Sequence, residues 1–161
     1  MHIAVGSDEK THLTEAVIAD LTRRGHTLEL YGPLAGQEGD WVDVGAEVAR
    51  RVASGAFQEG VLFCWTGTGI SMAANKVPGI RAALCADAET ARGARRWNHA
   101  NVLVLSLRLT SEAQAQEILE AWFSSPWDPK EAATVAKLTL IKTPGDSESP
   151  GVSAGRSSAR R

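Results

Sequence analysis

The sequence lacks most of the features that would place it in a specialised class of protein. Its 161 residues include only two cysteines, Cys64 and Cys85, which excludes a disulfide framework and a four-thiolate metal site. A formal net charge of −2 creates no field that would attract nucleic acid or an anionic membrane. No apolar run reaches the roughly 18 residues that a membrane span needs, and residues 1–10 lack a signal-peptide pattern. We therefore expect a cytoplasmic protein with no metal, cofactor, nucleic-acid or membrane partner.

The sequence does contain an alternation of short apolar runs and longer segments of helical periodicity. The runs predict strands over residues 2–5, 27–31, 61–64, 81–85 and 102–107. The intervening segments predict helices over residues 11–24, 42–54, 70–76, 88–96 and 111–123. Several runs are apolar at consecutive positions, which is typical of parallel strands that are buried on both faces. The pattern predicts a three-layer α/β/α domain with a parallel sheet.

The composition changes towards the C-terminus. A further helix is predicted over residues 129–138, and from residue 143 the chain is rich in Ser, Gly, Pro and Arg. Such a segment has almost no apolar surface to bury, so burial cannot offset the entropy lost on ordering it. We expect one domain over residues 1–142 and a disordered tail over residues 143–161.

Polar groups cluster next to the predicted strands. In a parallel α/β sheet, ligands bind outside the carboxyl ends of the strands, where loops meet the N-termini of helices. Residues 6–10 follow the first strand, residues 40–43 lie in the second connection, and residues 64–71 follow the third strand. Asp87 follows the fourth strand, and residues 97–101 lead into the fifth. We expect these groups to lie together at one end of the sheet.

The loop after the third strand carries the sharpest signal, in Gly67, Thr68, Gly69 and Ile70. Glycines that open a helix allow several backbone N–H groups to converge on an anion or a developing oxyanion, assisted by the helix dipole. A dinucleotide fingerprint is a rival interpretation, but Met72 occupies the place of its third glycine. The P-loop pattern is absent as well.

Individual side chains allow more than one interpretation. Cys64 could be a small core residue or a thiolate at a helix N-terminus. Asp8 could be the N-cap of the first helix. Asn98 and His99 could form a turn. Three tryptophans on predicted loops could be core residues, but indole faces also stack on sugar rings, which favours a carbohydrate site: Trp41, Trp65 and Trp97.

Two stretches resemble a known family. Residues 3–8 (IAVGSD) and residues 67–85 (GTGISMAANKVPGIRAALC) are similar to ribose-5-phosphate isomerase B, a family that also contains galactose-6-phosphate isomerase subunits. Asn98, residues 100–103 and Arg108 continue the match, which spans about residues 2–125. The resemblance implies a Rossmann-like domain with five parallel strands. It also implies a homodimer or homotetramer with sites between subunits, which interconverts aldose and ketose phosphates without a metal.

The resemblance implies a role for each matching position. Cys64 corresponds to the base that moves a proton between C2 and C1 through a cis-enediol. Thr66 corresponds to a hydroxyl that assists ring opening. The backbone over residues 67–70, with Asn98 beside it, corresponds to the loop that holds the enediolate oxygen. Asp8 corresponds to a residue that binds sugar hydroxyls.

Several positions depart from the family pattern. The ring-opening histidine is replaced by Trp97, with His99 two residues further on as a candidate substitute, and the histidine after Asp8 is replaced by Glu9. Trp65 stands in place of a glycine and Trp41 in place of a tyrosine. Of the groups that grip phosphate, Arg108 is retained, whereas Lys130 alone partly replaces the C-terminal arginines, with Lys137 a weaker match.

These departures predict a changed substrate. We expect an aldose–ketose isomerase of a small sugar or sugar phosphate, with a four-carbon, open-chain sugar as one candidate because it needs no ring opening. Two alternatives remain open from the sequence: a non-catalytic sugar- or metabolite-binding protein on the same scaffold, and a nucleotide-binding module.

Overall fold

A computed structural model describes residues 1–141. The predicted tail over residues 143–161 therefore lies outside the described residues. The chain forms a five-stranded, all-parallel sheet in the order β2-β1-β3-β5-β4. The strands are β1 His2–Ser7, β2 Thr27–Tyr31, β3 Glu59–Cys64, β4 Ala82–Leu84 and β5 Val102–Ser106. The predicted three-layer α/β/α architecture with five parallel strands is confirmed.

Helices connect successive strands. They are α1 His12–Arg23, α2 Trp41–Ala53, α3 Thr68–Asn75, α4 Ala88–Asn98, α5 Glu112–Ser124 and the short α6 Ala132–Ala136. Three 3₁₀ turns complete the described structure, at Gly32–Ala35, Pro129–Glu131 and Lys137–Leu140. All five helices predicted by the alternating pattern are present: α1 to α4 connect successive strands and α5 follows β5. Helix α3 begins two residues before its predicted start.

Side-chain caps define where the helices begin. Thr11 and Ser111 form capping boxes at α1 and α5, in which each side chain accepts a hydrogen bond from a backbone N–H of the first turn. Asp40 and Asp87 cap α2 and α4. The N-cap of α1 is thus Thr11, so the interpretation of Asp8 as that cap is wrong.

The helices cover both faces of the sheet. On one face, apolar side chains of α1, α4 and α5 pack against Ile3, Val5, Phe63, Leu103 and Leu105. On the other face, α2 and α3 pack against Leu62, Val104 and the thiol of Cys64. This second layer brings the N-termini of α2 and α3 to the carboxyl end of β3.

The elements over residues 129–140, which follow α5, bury no residue against the rest of the domain. The single helix predicted over residues 129–138 is instead a 3₁₀ turn, the five-residue α6 and another 3₁₀ turn, and none of these elements has a buried residue. Leu138, Leu140 and Ile141 are 51%, 74% and 75% exposed. Without an apolar face buried on the domain, little packing energy favours one continuous helix.

Candidate active site

The strand register brings the ends of β1, β3 and β5 level. Ser7 pairs with Phe63, and Cys64 pairs with Ser106. The loops that follow these strands therefore emerge side by side, as expected for the carboxyl edge of a parallel sheet. Residues 8–10, the N-terminus of α2 and residues 64–70 lie on this edge, as predicted.

The loop that joins β3 to α3 is built around Gly67. This residue has φ +77° and is the N-cap of α3, a left-handed conformation that glycine adopts without steric cost. Its N–H donates to the carbonyl of Cys64 at 3.2 Å, and the N–H of Ser71 donates to the carbonyl of Gly67 at 3.3 Å. The first N–H groups of α3 have no acceptor within the helix and carry the positive end of its dipole. Such an arrangement can hold an oxyanion close to Cys64.

Hydrogen bonds fix this loop to the residues that follow β5. The carbonyl of Cys64 accepts from the N–H of Leu107 at 3.0 Å. The carbonyl of Trp65 accepts from the N–H of Arg108 at 3.1 Å and from Ser106 Oγ at 3.0 Å. The bond to Trp65 places the backbone of Arg108 at the same edge of the sheet as Cys64, and the residue is exposed and so accessible to an anion.

The hydroxyl groups of Thr66 and Thr68 form a pair on the exposed side of the loop. Their Oγ1 atoms lie 2.7 Å apart, so one donates to the other. Cys64 is 5% exposed, whereas Thr66 and Thr68 are both exposed. The loop thus places a buried thiol, two hydroxyls and a helix N-terminus within one short stretch of chain.

Carboxylates line the side of the site formed by β1 and α2. Burial raises the pKa of Asp8, and the neighbouring charges of Glu9 and Asp40 add to this rise, although a backbone hydrogen bond opposes it. Asp8 Oδ1 is buried and has no hydrogen-bond partner among residues 1–141. Asp8 as a whole is half-buried, so part of this residue remains accessible at the site, and the negative charges of Glu9 and Asp40 disfavour a phosphate beside it.

Of the three tryptophans predicted on loops, only Trp65 is on one, because Trp41 is the first residue of α2 and Trp97 lies in α4. None of the three is a core residue. Trp41, Trp65 and Trp97 are 41%, 59% and 54% exposed. Trp41 and Trp65 lie at the carboxyl edge beside Cys64. An exposed indole next to a polar site can stack on a sugar ring or carbon chain.

Residues 97–101 lie at the opposite edge of the sheet, so the prediction that they join the other polar groups is wrong. They precede β5, and the N–H of Gly60 at the amino end of β3 donates to the carbonyl of Asn101 at 3.0 Å. Four residues of strand separate Gly60 from Cys64, about 13 Å at roughly 3.3 Å per residue. Within one chain, Asn98 and Trp97 are too far from Cys64 to act with it. Lys130 is at this edge as well, because the N–H of Asp128 donates to the carbonyl of Arg96 at 3.0 Å.

His99 is held firmly at this amino edge. It is 7% exposed and has φ +50°, the only positive φ of a non-glycine residue in the described range. Its ring stacks on Trp127 with 5.0 Å between centroids, and Nε2 lies 2.8 Å from the carbonyl oxygen of Asp128. This hydrogen bond occupies one ring nitrogen, so the arrangement favours a role for His99 in holding the turn that presents Asn98.

A buried ion pair supports the same turn. Arg95 Nη2 lies 2.7 Å from Glu59 Oε1, and Arg95 Nη1 donates to the carbonyl of Ala100 at 2.6 Å. Trp122 Nε1 donates to Glu59 Oε2 at 2.5 Å. Burial raises the pKa of Glu59 and lowers that of Arg95, and the pairing opposes both changes. This pair was not predicted from the sequence, in which its only signal is a glutamate just before an apolar run.

Comparison with known proteins identifies the family. A family model described as Ribose/Galactose Isomerase matches residues 3–138. The D-erythrulose-4-phosphate isomerase of Pectobacterium atrosepticum is 35% identical over 130 residues, which cover 80% of this chain and 86% of that protein. The ribose-5-phosphate isomerase B of Escherichia coli is 35% identical over 127 residues, covering 78% and 85%. The structure of Clostridium thermocellum ribose-5-phosphate isomerase B has a TM-score of 0.82 at 37% identity and covers 88% of this chain and 97% of that one.

The chain therefore belongs to the ribose/galactose isomerase family. It is a sugar-phosphate aldose–ketose isomerase, an intramolecular oxidoreductase, and the predicted enzyme class is confirmed. Membership of this family favours the enzyme over the non-catalytic and nucleotide-binding alternatives. No helix within residues 1–141 is long and apolar enough to cross a membrane.

Proposed function

We propose that this isomerase interconverts the ketose and aldose forms of a four-carbon sugar phosphate, with Cys64 as the base. The observation that carries the proposal is the position of Cys64, at the end of β3 and directly before the Gly67 turn and the N-terminus of α3. A proton acceptor beside a site for an oxyanion is what abstraction of a proton next to a carbonyl requires.

The proposed reaction proceeds in two proton transfers. The Cys64 thiolate removes a proton from C1 of the ketose, and the electron pair of that C–H bond forms the C1–C2 double bond of a cis-enediolate. The N–H groups at the start of α3 stabilise the negative oxygen. Cys64 then returns the proton to C2, O1 becomes the aldehyde oxygen, and the hydroxyl proton lost from O1 is transferred to O2. No electrons leave the substrate, so no redox cofactor is needed.

Asp8 and the two loop hydroxyls supply the remaining contacts in this proposal. The half-buried carboxyl group of Asp8 accepts a hydrogen bond from a substrate hydroxyl. Thr66, in its pair with Thr68, contacts the oxygen atoms of the reacting carbons. Arg108 contacts the phosphate, because its backbone is bonded to Trp65 beside the loop. Each of these groups lies on the carboxyl edge with Cys64.

The size of the substrate follows from what the site lacks. Family members that act on ribose 5-phosphate must first open a furanose ring, and the position of the ring-opening histidine is Trp97 here. A four-carbon sugar with phosphate on O4 has no hydroxyl that could close a five-membered ring, so it is already open-chain. The similarity to the Pectobacterium D-erythrulose-4-phosphate isomerase supports this substrate class.

We also propose that the active unit is a homodimer in which each site combines two chains. Asn98 and Lys130 lie at the amino edge, about 13 Å or more along the sheet from Cys64, and can join it only from a second copy. The segment after α5 exposes Leu138, Leu140 and Ile141, which is apolar surface suited to burial against that copy.

Two measurements test these proposals. Turnover of D-erythrulose 4-phosphate and ribose 5-phosphate tests the substrate, and we expect the four-carbon compound to have the higher kcat/KM by at least about tenfold. Mixing inactive Cys64→Ala with inactive Asn98→Ala chains tests the shared site. Random reassociation should restore about a quarter of the sites, since half of the dimers then carry one intact site. Preference for ribose 5-phosphate, or no recovery on mixing despite exchange of chains, would contradict the respective proposal.

A further inference from the structure

The first residue of α2, Trp41, lies directly against the loop that follows Cys64. Ring atoms Cε3 and Cδ2 of Trp41 lie 3.0 and 3.1 Å from where a Cβ atom at Gly69 would be. The indole therefore contacts the backbone of the second residue of α3, and no side chain fits between them. Because Trp41 is still 41% exposed, the rest of its ring forms a wall beside the loop.

The start of α2 holds Trp41 in place. Asp40 Oδ1 accepts hydrogen bonds from the backbone N–H groups of Val42 and Asp43 at 2.8 and 2.9 Å. Trp41 is thus the first helical residue behind a bonded cap, a position where the backbone has little freedom.

Gly45 sets the distance between α2 and α3. A Cβ atom at Gly45 would lie 2.8 Å from Ile70 Cγ1 and 3.1 Å from the carbonyl oxygen of Ile70. Residues four apart share a helix face, so Trp41 and Gly45 both face α3. The missing side chain at Gly45 allows the helices to approach closely enough for the indole to contact Gly69. A glycine within a helix costs about 1 kcal/mol relative to alanine, and this close packing explains its presence.

We propose that Trp41 is a specificity-determining residue that limits the carbon-chain length of the substrate, and that Gly45 positions it. The inference rests on the proposed isomerase function, which places the reacting carbons beside Cys64 at residues 67–70. Further carbons must then pass the indole, and the indole cannot move towards α3 because it already contacts the backbone of Gly69. A longer chain loses contacts or displaces the ring, and one methylene typically changes kcat/KM by about 10- to 200-fold.

The test compares binding of two open-chain acids that cannot isomerise, erythronate 4-phosphate and ribonate 5-phosphate. Calorimetry gives both dissociation constants for wild type, Trp41→Phe, Trp41→Ala and Gly45→Ala. Val42→Ala, an exposed neighbour on the same helix turn, is the matched control. We expect wild type and Val42→Ala to prefer the four-carbon acid by at least about tenfold. Trp41→Ala should reduce that preference to about threefold or less, with Trp41→Phe and Gly45→Ala in between.

The outcomes separate this inference from the proposed function. A folded Trp41→Ala variant that keeps the wild-type preference overturns the inference, and so does a wild type that binds both acids equally or neither. Turnover of D-erythrulose 4-phosphate is measured on the same preparations. If wild type shows length-selective binding that Trp41→Ala abolishes but no turnover, the proposed substrate is wrong and the role of Trp41 stands.

Discussion

At the scale of single residues, Cys64 and Cys85 provide a matched pair. Both thiols are buried, at 5% and 1% exposure, and each lies at or just after the end of a strand. Burial raises the pKa of Cys85 to about 12, and the charge of Asp87 adds to the effect, so this thiol stays protonated at neutral pH. Only Cys64 borders the Gly67 turn and the N-terminus of α3.

We therefore predict that Cys64→Ala lowers kcat by about 10²–10⁴-fold, the usual loss on removing a positioned base. Cys85→Ala should leave kcat within about twofold, since that thiol takes no part in the proton transfer. Steady-state kinetics of both variants on the same substrate, with circular dichroism as a folding check, make the comparison. A Cys64→Ala enzyme that retains more than about a tenth of the wild-type rate would make this thiol a core residue.

The charge of Glu9 gives a second prediction. The Glu9 carboxylate and the phosphate of ribose 5-phosphate carry like charges. At about 5 Å and an effective dielectric constant of 20, two such charges repel by roughly 3 kcal/mol before screening. Glu9→His should thus raise kcat/KM for ribose 5-phosphate. Trp97→His should raise it separately by assisting ring opening, and the double variant should raise it most. Glu117→His, an exposed site on α5, is the control for the change of charge. Wild-type activity of about 10⁴ M⁻¹s⁻¹ or better on ribose 5-phosphate would contradict the altered-substrate account.

At the scale of elements, the C-terminal end of α4 depends on the buried pair of Arg95 and Glu59. Removing one partner of a buried pair leaves an uncompensated charge and typically costs about 3–5 kcal/mol. Arg92 and Glu89 form an exposed pair on the same helix, with Nη1 and Oε2 2.9 Å apart. Exposed ion pairs contribute about 0–1 kcal/mol to the free energy of unfolding.

We predict that Arg95→Met lowers the free energy of unfolding by about 3–5 kcal/mol and that Arg92→Met lowers it by no more than about 1 kcal/mol. Urea denaturation followed by circular dichroism measures both. Equal effects of the two substitutions would show that the Arg95 pair does not hold the end of α4.

The elements also show which parts of the structure can be predicted from sequence. The buried strands were predictable because apolar residues at consecutive positions are typical of parallel strands that are buried on both faces. Residues 97–101 were assigned to the wrong edge, although a segment that precedes a parallel strand must enter at its amino end. The contact of Trp41 with Gly69 depends on how closely α2 packs on α3, and no local pattern encodes that distance. The segment over residues 129–138 has helical periodicity but buries nothing, so periodicity alone misjudged it.

At the scale of the whole molecule, His26 links stability to pH. Its ring lies against Phe123, with 4.6 Å between centroids and an interplanar angle of 37°, and neither ring nitrogen has a hydrogen-bond partner among residues 1–141. Burial lowers the pKa of His26, and the positive charges of the N-terminus and Arg24 lower it further. The folded state therefore favours the neutral ring. The stabilising contribution is present above the unfolded pKa, near 6.5, and is lost as the pH falls below it because the unfolded chain binds the proton more readily.

We predict that wild-type stability falls more steeply between pH 7 and pH 5 than that of His26→Phe, which keeps an aromatic ring against Phe123. Chemical denaturation across this range measures the difference between the two proteins. Parallel curves would show that His26 titrates equally in the folded and unfolded states.

The central claim is that Cys64 transfers a proton between C1 and C2 of an open-chain sugar phosphate, and isotope exchange tests it most directly. D-erythrulose 4-phosphate is incubated in D₂O with wild type, Cys64→Ala or Cys85→Ala, and deuterium at C1 of the ketose and C2 of the aldose is followed by NMR. The account predicts incorporation by wild type and Cys85→Ala and a loss of about 10²-fold or more with Cys64→Ala. Deuterium incorporation by Cys64→Ala at the wild-type rate would contradict it, because another base would then transfer the proton.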